Sequence, residues 1–350
     1  MKIGLVGVGS IADFHVRAFH KKSGAKIVAI CARSAGNVET KKREWNVERG
    51  STDYRDLVND KGLDAIDIAA PNNLHAPIAI AALEAKKHVF CEKPPALNAE
   101  DAQRMMQSAS KSGKVLMYGF MFRFSEKMRL VRELIGNGEV GSISYVKAGI
   151  IRRCGNPGGW FASREVAGGG PLMDVGVHLI DLASFLMGEP APVSAYGKTF
   201  RGIGRRENIR ARQAGWKSVM EDRYPDDVED MAVALVNFEN GACLSLETSF
   251  SSHIKDDQMY LEILGTRGGM TVEPVLEIHS EKDNYLIDVK PRVNCETFDY
   301  QGSIDAEISH FIECAAKGVP CESPAESGTR VMKIIDAIYE SAETGRTTDI

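Results

Sequence analysis

Asp174 and His178 carry side chains suited to moving a proton, and they stand four residues apart. Positions i and i+4 share one helix face, and the neighbouring Leu172, Val175, Leu179 and Leu182 are apolar, so both polar groups can point into one site. An imidazole titrates near neutral pH, and a lysine beside a positive charge in a desolvated crevice gives up its proton more readily than in water. Lys93, in Cys91-Glu92-Lys93-Pro94, is the lysine of interest. Such groups suit oxidation of a secondary alcohol or reduction of a ketone, where a proton and a hydride move together and side chains can shuttle the proton without a metal. Taken alone, Asp174 and His178 also fit a surface ion pair.

A hydride needs a carrier, and Gly7-Val8-Gly9-Ser10-Ile11-Ala12 supplies the G-x-G-x-x-A spacing directly after the apolar run Ile3 to Val6. Gly7 permits a tight turn, Gly9 lets the backbone approach a pyrophosphate, and Ala12 lets helix and strand pack closely. The pyrophosphate would rest on the first helical N–H groups, those of Ser10 and Ile11. About 20 residues on, where an acid binds the ribose 2′-hydroxyl of NAD, the chain reads Cys31-Ala32-Arg33-Ser34. Arg33 can stack on adenine and pair with a 2′-phosphate, and Ser34 can donate to it, which favours NADP over NAD. The alternative is a surface Arg33 and use of either cofactor. Pro71-Asn72-Asn73-Leu74-His75 follows the strand Ala65 to Ala69, and strand C-termini of a parallel sheet face the ligand crevice. Pro71, Asn72 and His75 are therefore expected along the nicotinamide half, with Glu92 and Lys93 ending the next strand beside them; His75 is equally well read as a helix-start residue. Arg123 is expected at a domain junction, either meeting cofactor or substrate or forming a salt bridge.

The Gly-rich loop, the P-N-x-x-H turn and the E-K-P triplet together resemble the Gfo/Idh/MocA oxidoreductase family, and the run from Gly168-Gly169-Gly170-Pro171 through Asp174 and His178 to Asp181 resembles its second hallmark. The resemblance covers nearly the whole chain. It implies a Rossmann domain followed by an α/β domain with a large open sheet, acting on sugars or cyclitols. It further implies that His178 gives or takes the proton, that Lys93 polarises the reacting oxygen, and that Asp174 orients the substrate. Two other functions share the scaffold: a glycoside hydrolase that uses its nicotinamide transiently, and a non-catalytic nucleotide sensor. Retention of Lys93, Asp174 and His178 together argues against the sensor.

The elements that must position these groups follow from the patterning. Up to Phe122, short apolar runs alternate with helical patterns, which specifies a parallel sheet with right-handed crossovers. Beyond it, one helix from Ser125 to Ile135, a strand near Ile143 to Ile151 and a helix from Leu172 to Met187 lead into strand-dominated sequence. There Leu244, Leu246, Thr248 and Phe250 alternate with Ser245, Glu247 and Ser249, and Asn240-Gly241 has hairpin-turn chemistry. The expected fold class is α/β, with a Rossmann dinucleotide-binding domain at 1–122 and an α+β domain with a large, mainly antiparallel open sheet at 123–350. The open face suggests a homodimer or homotetramer.

The chain has 350 residues, enough for two domains, and 43 Lys+Arg against 48 Asp+Glu give a net charge of -5. No global field attracts nucleic acid or an anionic membrane, so the expected partner is a small sugar or polyol. The five arginines from Arg201 to Arg212 form a local exception, read as a solvated loop or as a lid for an anionic group. Seven cysteines, never spaced C-x-x-C, support neither a disulfide framework nor a zinc site, so no metal is expected. With no signal-peptide pattern after Met1, the expected location is cytoplasmic.

Overall fold

The computed structural model describes residues 1–22, 24–204, 206, 224–292 and 298–350. They form two compact units, one of residues 1–125 with 298–329 and the other of 126–297 with 330–350.

The first unit opens with β1 (Lys2–Val6), α1 (Ser10–Lys21), β2 (Lys26–Cys31), α2 (Ala35–Trp45), β3 (Arg49–Ser51) and α3 (Tyr54–Val58). It continues with β4 (Ala65–Ile68), α4 (His75–Glu84), β5 (His88–Cys91), α5 (Ala99–Ser112) and β6 (Leu116–Tyr118). The strands are parallel in the order β3-β2-β1-β4-β5-β6, so the winding reverses between β1 and β4. That reversal opens the place where ligands bind in doubly wound sheets. The strand interiors, Ile3, Leu5, Ile30, Ile66, Ile68, Val89 and Phe90, are fully buried, as expected of strands covered by helices on both faces. Side-chain caps start the helices where the sequence offers them: Asn98 accepts the Asp101 amide at 2.8 Å to begin α5, and Gly113, left-handed, ends it.

The second unit contains α6 (Glu126–Gly136), β7 (Ile143–Ile151), α7 (Arg164–Ala167), a π-helical turn (Leu172–Gly176) running into α8 (Val177–Leu186), and β8 (Pro192–Phe200). Then come β9 (Met231–Phe238), β10 (Cys243–Ser249), β11 (Gln258–Gly265), β12 (Gly268–Glu273), β13 (Glu277–Lys282) and β14 (Tyr285–Val289). The Asn240-Gly241 turn joins β9 to β10, with Gly241 at φ +83°. Neighbours pair antiparallel except β10 with β7, which run parallel. One face is apolar and buried through Val146, Val236, Leu244, Leu246, Leu261 and Ile263.

The C-terminal stretch is divided. Helix α9 (Tyr300–Lys317) packs on α1, with Lys21 paired to Asp305 at 2.5 Å and Phe311 5.6 Å from Phe90. After it, the Tyr118 amide donates to Ser323 O and the Ser323 hydroxyl donates to Tyr118 O, which ties the chain to β6. Helix α10 (Ala325–Thr344) begins in the first unit and continues into the second, where the final strand β15 (Thr348–Asp349) pairs with β8. Residues 298–329 thus pack with 1–125 as one compact unit, although they follow the strands of the large sheet in the chain. The apolar stripe of α9, Ile304, Ile308, Phe311 and Ile312, demands burial but does not encode which sheet provides it.

Candidate active site

Gly7 sits at φ +102° and donates its amide to Cys31 O at 2.9 Å; a Cβ there would lie 2.1 Å from Ala69 O. No side chain can be added at this crossing of β1 and β4. Among the described residues, nothing beyond its chain neighbours lies within 4 Å of where a Cβ on Gly9 would be, and Gly9, the residue preceding α1, supplies no side-chain cap to the helix. The first helical amides, from Ser10 and Ile11, and the open space beside Gly9 fit a pyrophosphate. Ala12 is fully buried against the sheet. Beyond β2, Arg33 and Ser34 are exposed, and Ser34 Oγ accepts the Asn37 amide at 3.4 Å to cap α2.

At the ends of β4 and β5 lies a buried charge arrangement that the sequence did not announce. His15 of α1 places Nδ1 3.0 Å from Asp67 Oδ2 and Nε2 3.0 Å from Glu92 Oε1. Burial alone would depress this imidazole, but Asp67 and Glu92 hold it charged and raise its pKa to about 10. Burial in turn pushes the Asp67 carboxyl up, opposed by His15. The other oxygen of Glu92 accepts the Lys93 amide at 3.1 Å, so the imidazolium fixes Glu92 and Glu92 fixes the backbone of half-buried Lys93. His15 and Asp67 each fall inside an apolar pattern, where a lone polar residue gives no sign of its partner.

His75 spans two loops. Its Nδ1 lies 2.7 Å from Pro94 O and its Nε2 2.9 Å from Ala70 O, and burial lowers its pKa. A neutral ring donates to one of these carbonyls at a time. The P-N-x-x-H turn, with Pro71 and buried Asn72, is thereby stapled to the E-K-P loop. Arg123, 1% exposed, donates to Glu322 O at 2.5 Å and lies over the Phe120 ring, bracing the first unit from within.

In the second unit the helix that carries Asp174 and His178 does not begin as an ordinary α-helix. The Val177 amide reaches back five residues to Leu172 O, and this wider turn packs on β7 and β10, with Gly176 close to Thr248. Asp174 is half-buried within it, His178 follows in the first turn of α8, and Asp181 is buried further along the helix. Glu229, unremarked in the sequence, holds the start of this turn. Its carboxylate accepts the amides of Gly170 at 2.9 Å and Leu172 at 3.2 Å and the Tyr339 hydroxyl at 2.9 Å. Burial raises the Glu229 pKa, against the pull of these donors. A Cβ on Gly169 would lie 1.9 Å from Tyr339 Oη and one on Gly170 2.3 Å from Glu229 O, so close packing accounts for these two glycines. The acid-rich Asp226-Asp227-Val228-Glu229-Asp230 run offers no periodicity that singles out Glu229.

The loop before the glycines is packed on itself. Trp160 stacks on Phe161 at 3.8 Å, and Arg164 lies over Tyr339 and 3.6 Å from Glu343. Of the basic segment, Arg201 donates to Asp226 O and Arg206 to Arg153 O, whereas Arg205, Arg210 and Arg212 lie outside the described residues.

A six-stranded parallel sheet whose glycine turn after β1 opens onto the first amides of α1, with a lysine just past β5 two strands away, is the plan of a dinucleotide-dependent oxidoreductase. The chain belongs to the Gfo/Idh/MocA family: residues 1–120 match its NAD-binding Rossmann fold and residues 132–350 its C-terminal alpha/beta domain. It is 31% identical over 354 residues to D-glucoside 3-dehydrogenase of Escherichia coli, covering 100% of this chain and 97% of that one. It is 27% identical to an NADP(+)-dependent D-xylose 1-dehydrogenase of Haloferax volcanii, covering 100% of both chains. Among solved structures, levoglucosan dehydrogenase in complex with NADH and levoglucosan superposes with a TM-score of 0.86 at 25% identity, covering 100% of this chain and 99% of that one. Among the described residues, no helix is long and apolar enough to cross a membrane.

Proposed function

We propose that this protein transfers a hydride between a nicotinamide dinucleotide and a secondary alcohol or ketone of a sugar, sugar derivative or cyclitol. The observation that carries the reading is the open cradle at Gly9 and the start of α1, in the same unit as the braced Lys93. When bound there, the nicotinamide accepts or supplies the hydride.

The chain's own residues do the rest. Gly7, Gly9 and the amides of Ser10 and Ile11 receive the pyrophosphate, and Pro71, Asn72 and the loop stapled by His75 wall the nicotinamide half. Arg33 and Ser34 bind the 2′-phosphate, which makes NADP the preferred cofactor. Glu92 keeps Lys93 in place; the Lys93 ammonium hydrogen-bonds the reacting oxygen and steadies the negative charge that grows there as the hydroxyl proton leaves. His178 takes that proton in oxidation and returns it in reduction. Asp174 accepts a hydrogen bond from a neighbouring hydroxyl and so orients the ring. Arg123 acts indirectly, by holding the end of the nucleotide-binding unit.

The test is absorbance at the reduced-nicotinamide band, with NADP and then NAD, against aldoses, glycosides, inositols and keto-sugars in both directions. Net cofactor turnover with at least one member, faster with NADP, is the expected result. Cofactor binding without turnover on any member would overturn the reading, and a strong preference for NAD would overturn the role of Arg33.

A further inference from the structure

We propose that His310, Cys314 and Cys321 form a binding site for one divalent cation of the zinc class, in the first unit and independent of the proposed redox chemistry. His310 and Cys314 are i and i+4 on α9 and share a face of that helix. Gly318, left-handed at φ +69°, ends α9 and turns the chain back, which returns Cys321 to the same face. One ligand atom from each residue lies within 4.8 Å of the other two, and His310 Nε2 is 3.3 Å from Cys314 Sγ. Metal–ligand distances of about 2.3 Å to sulfur and 2.0 Å to nitrogen put tetrahedral ligand atoms roughly 3.5–3.8 Å apart. The His310–Cys314 edge is already close to that length, and the longest edge needs to close by only about 1 Å.

The donors choose the ion. Two thiolates and an imidazole are a soft set that takes zinc and rejects magnesium or calcium, and three protein ligands leave the fourth position to water. Cys314 is buried while His310 and Cys321 are half-buried, so a cation has a way in. Phe124 lies 5.5 Å from the His310 ring and limits its swing. Without the ion, Nε2 accepts the Glu322 amide at 2.9 Å, and coordination exchanges that bond for one to the metal. A Cys314–Cys321 disulfide is the competing use of the thiols, and zinc titration of the reduced chain separates the two.

The site's place in the fold gives it a purpose. The residues after Cys321 hold the edge of the nucleotide-binding sheet: Glu322 O receives Arg123, Ser323 bonds Tyr118, and Pro324 bridges Met117. A cation joining Cys321 to α9 would fasten this strap to the helix that covers α1. The spacing H-x3-C-x6-C contains no C-x-x-C, which is why no metal was expected from the cysteine pattern.

The experiment uses the full chain, reduced and stripped by chelator, then titrated with zinc chloride and separately with cobalt(II). About one zinc per chain after gel filtration and the intense thiolate-to-cobalt absorption of a tetrahedral sulfur site are expected. Cys314→Ser and Cys321→Ser should each weaken binding more than about tenfold, while Cys154→Ser should leave it unchanged. Zinc should raise the wild-type melting temperature but not that of Cys321→Ser. A reduced wild-type chain that binds no stoichiometric zinc and shows no sulfur-to-cobalt absorption overturns the proposal, and this needs no variant to fold. Binding unaffected by both cysteine substitutions overturns it equally, as does a chain whose Cys314 and Cys321 pair as a disulfide in air and still reject zinc after reduction.

Discussion

Lys93 illustrates how a reactive residue is prepared by groups that never touch the substrate. If it polarises the reacting oxygen and His178 carries the proton, Lys93→Ala and His178→Ala should each lower kcat by roughly 10²–10⁴-fold. Nucleotide affinity, read by fluorescence titration, should stay within about threefold, because the pyrophosphate rests on backbone amides; wild-type kcat in both variants would remove them from the mechanism. Behind Lys93, the imidazolium of His15 bonds Asp67 through one ring nitrogen and Glu92 through the other and offsets part of their negative charge, and its removal leaves both buried carboxyl groups without that cation. His15→Gln should therefore destabilise the protein by about 3–5 kcal/mol. The pH dependence has a definite sign. The folded-state pKa of His15, about 10, lies above the ordinary 6.5, so its contribution is complete below pH 6.5 and is lost as pH rises through 10. Melting temperatures from pH 6 to pH 10.5 should show the gap between wild type and His15→Gln narrowing toward the alkaline end, and a constant gap would contradict a charged His15. Gly7, Lys93, Asp174 and His178 can be nominated from the sequence because each stands in a local motif. His15 and Glu229 were not, because their partners lie on other elements and single residues carry no spacing.

The turn from Gly170 to Gly176 shows the same division among elements. The sequence predicts one α-helix from Leu172 to Met187, and the helix is present, but its opening is a π-helical turn pressed against β7 and β10 and anchored by Glu229. Apolar periodicity records which face is buried and is insensitive to one extra residue in a turn. Short elements were hidden for a related reason: β3 has three residues and α3 five, too few to display a period. The parallel pairing of β7 with β10 is a fact of topology that neither strand's alternation contains. Because Glu229 binds the amides at the entry of this turn and the Tyr339 hydroxyl, Glu229→Ala should leave three donors without this acceptor and lower stability by about 1–3 kcal/mol. It should also reduce kcat while leaving nucleotide affinity unchanged, whereas Glu229→Gln, whose one acceptor oxygen can still take one of the two amides, should recover part of the stability and of kcat. Equal loss of activity in the two variants would mean that the charge, and not the anchoring, matters.

At the scale of the whole molecule, the two-unit plan and both sheets were readable from the change of rhythm near Phe122, whereas the return of α9 to the first unit was not, since its amphipathic stripe names no partner. The remaining whole-chain question is the open face of the large sheet. On that face Tyr196 lies opposite Leu235, Glu262 opposite Lys147 and Leu264 opposite Tyr145, with Phe200 at the end of β8. Tyr196, Phe200, Leu235 and Leu264 are 46%, 46%, 45% and 40% exposed, although the other face of the same strands is buried. Scattered apolar residues on a surface need no explanation, but a run of them across successive strands, interleaved with a Lys147–Glu262 pair at 3.0 Å, has the makeup of an interface. Two such faces brought together by a two-fold axis would each cover the other, because the same surface serves both subunits. Light scattering coupled to size exclusion should accordingly give at least twice the chain mass, and the double substitution Tyr196→Lys and Leu235→Lys, which sets four like charges against one another across the axis, should shift the species to the monomer with its circular dichroism intact. A wild-type monomer at micromolar concentration would refute the face-to-face assembly, and a double variant that stays associated would move the interface to the exposed Tyr285 and Leu286 of β14.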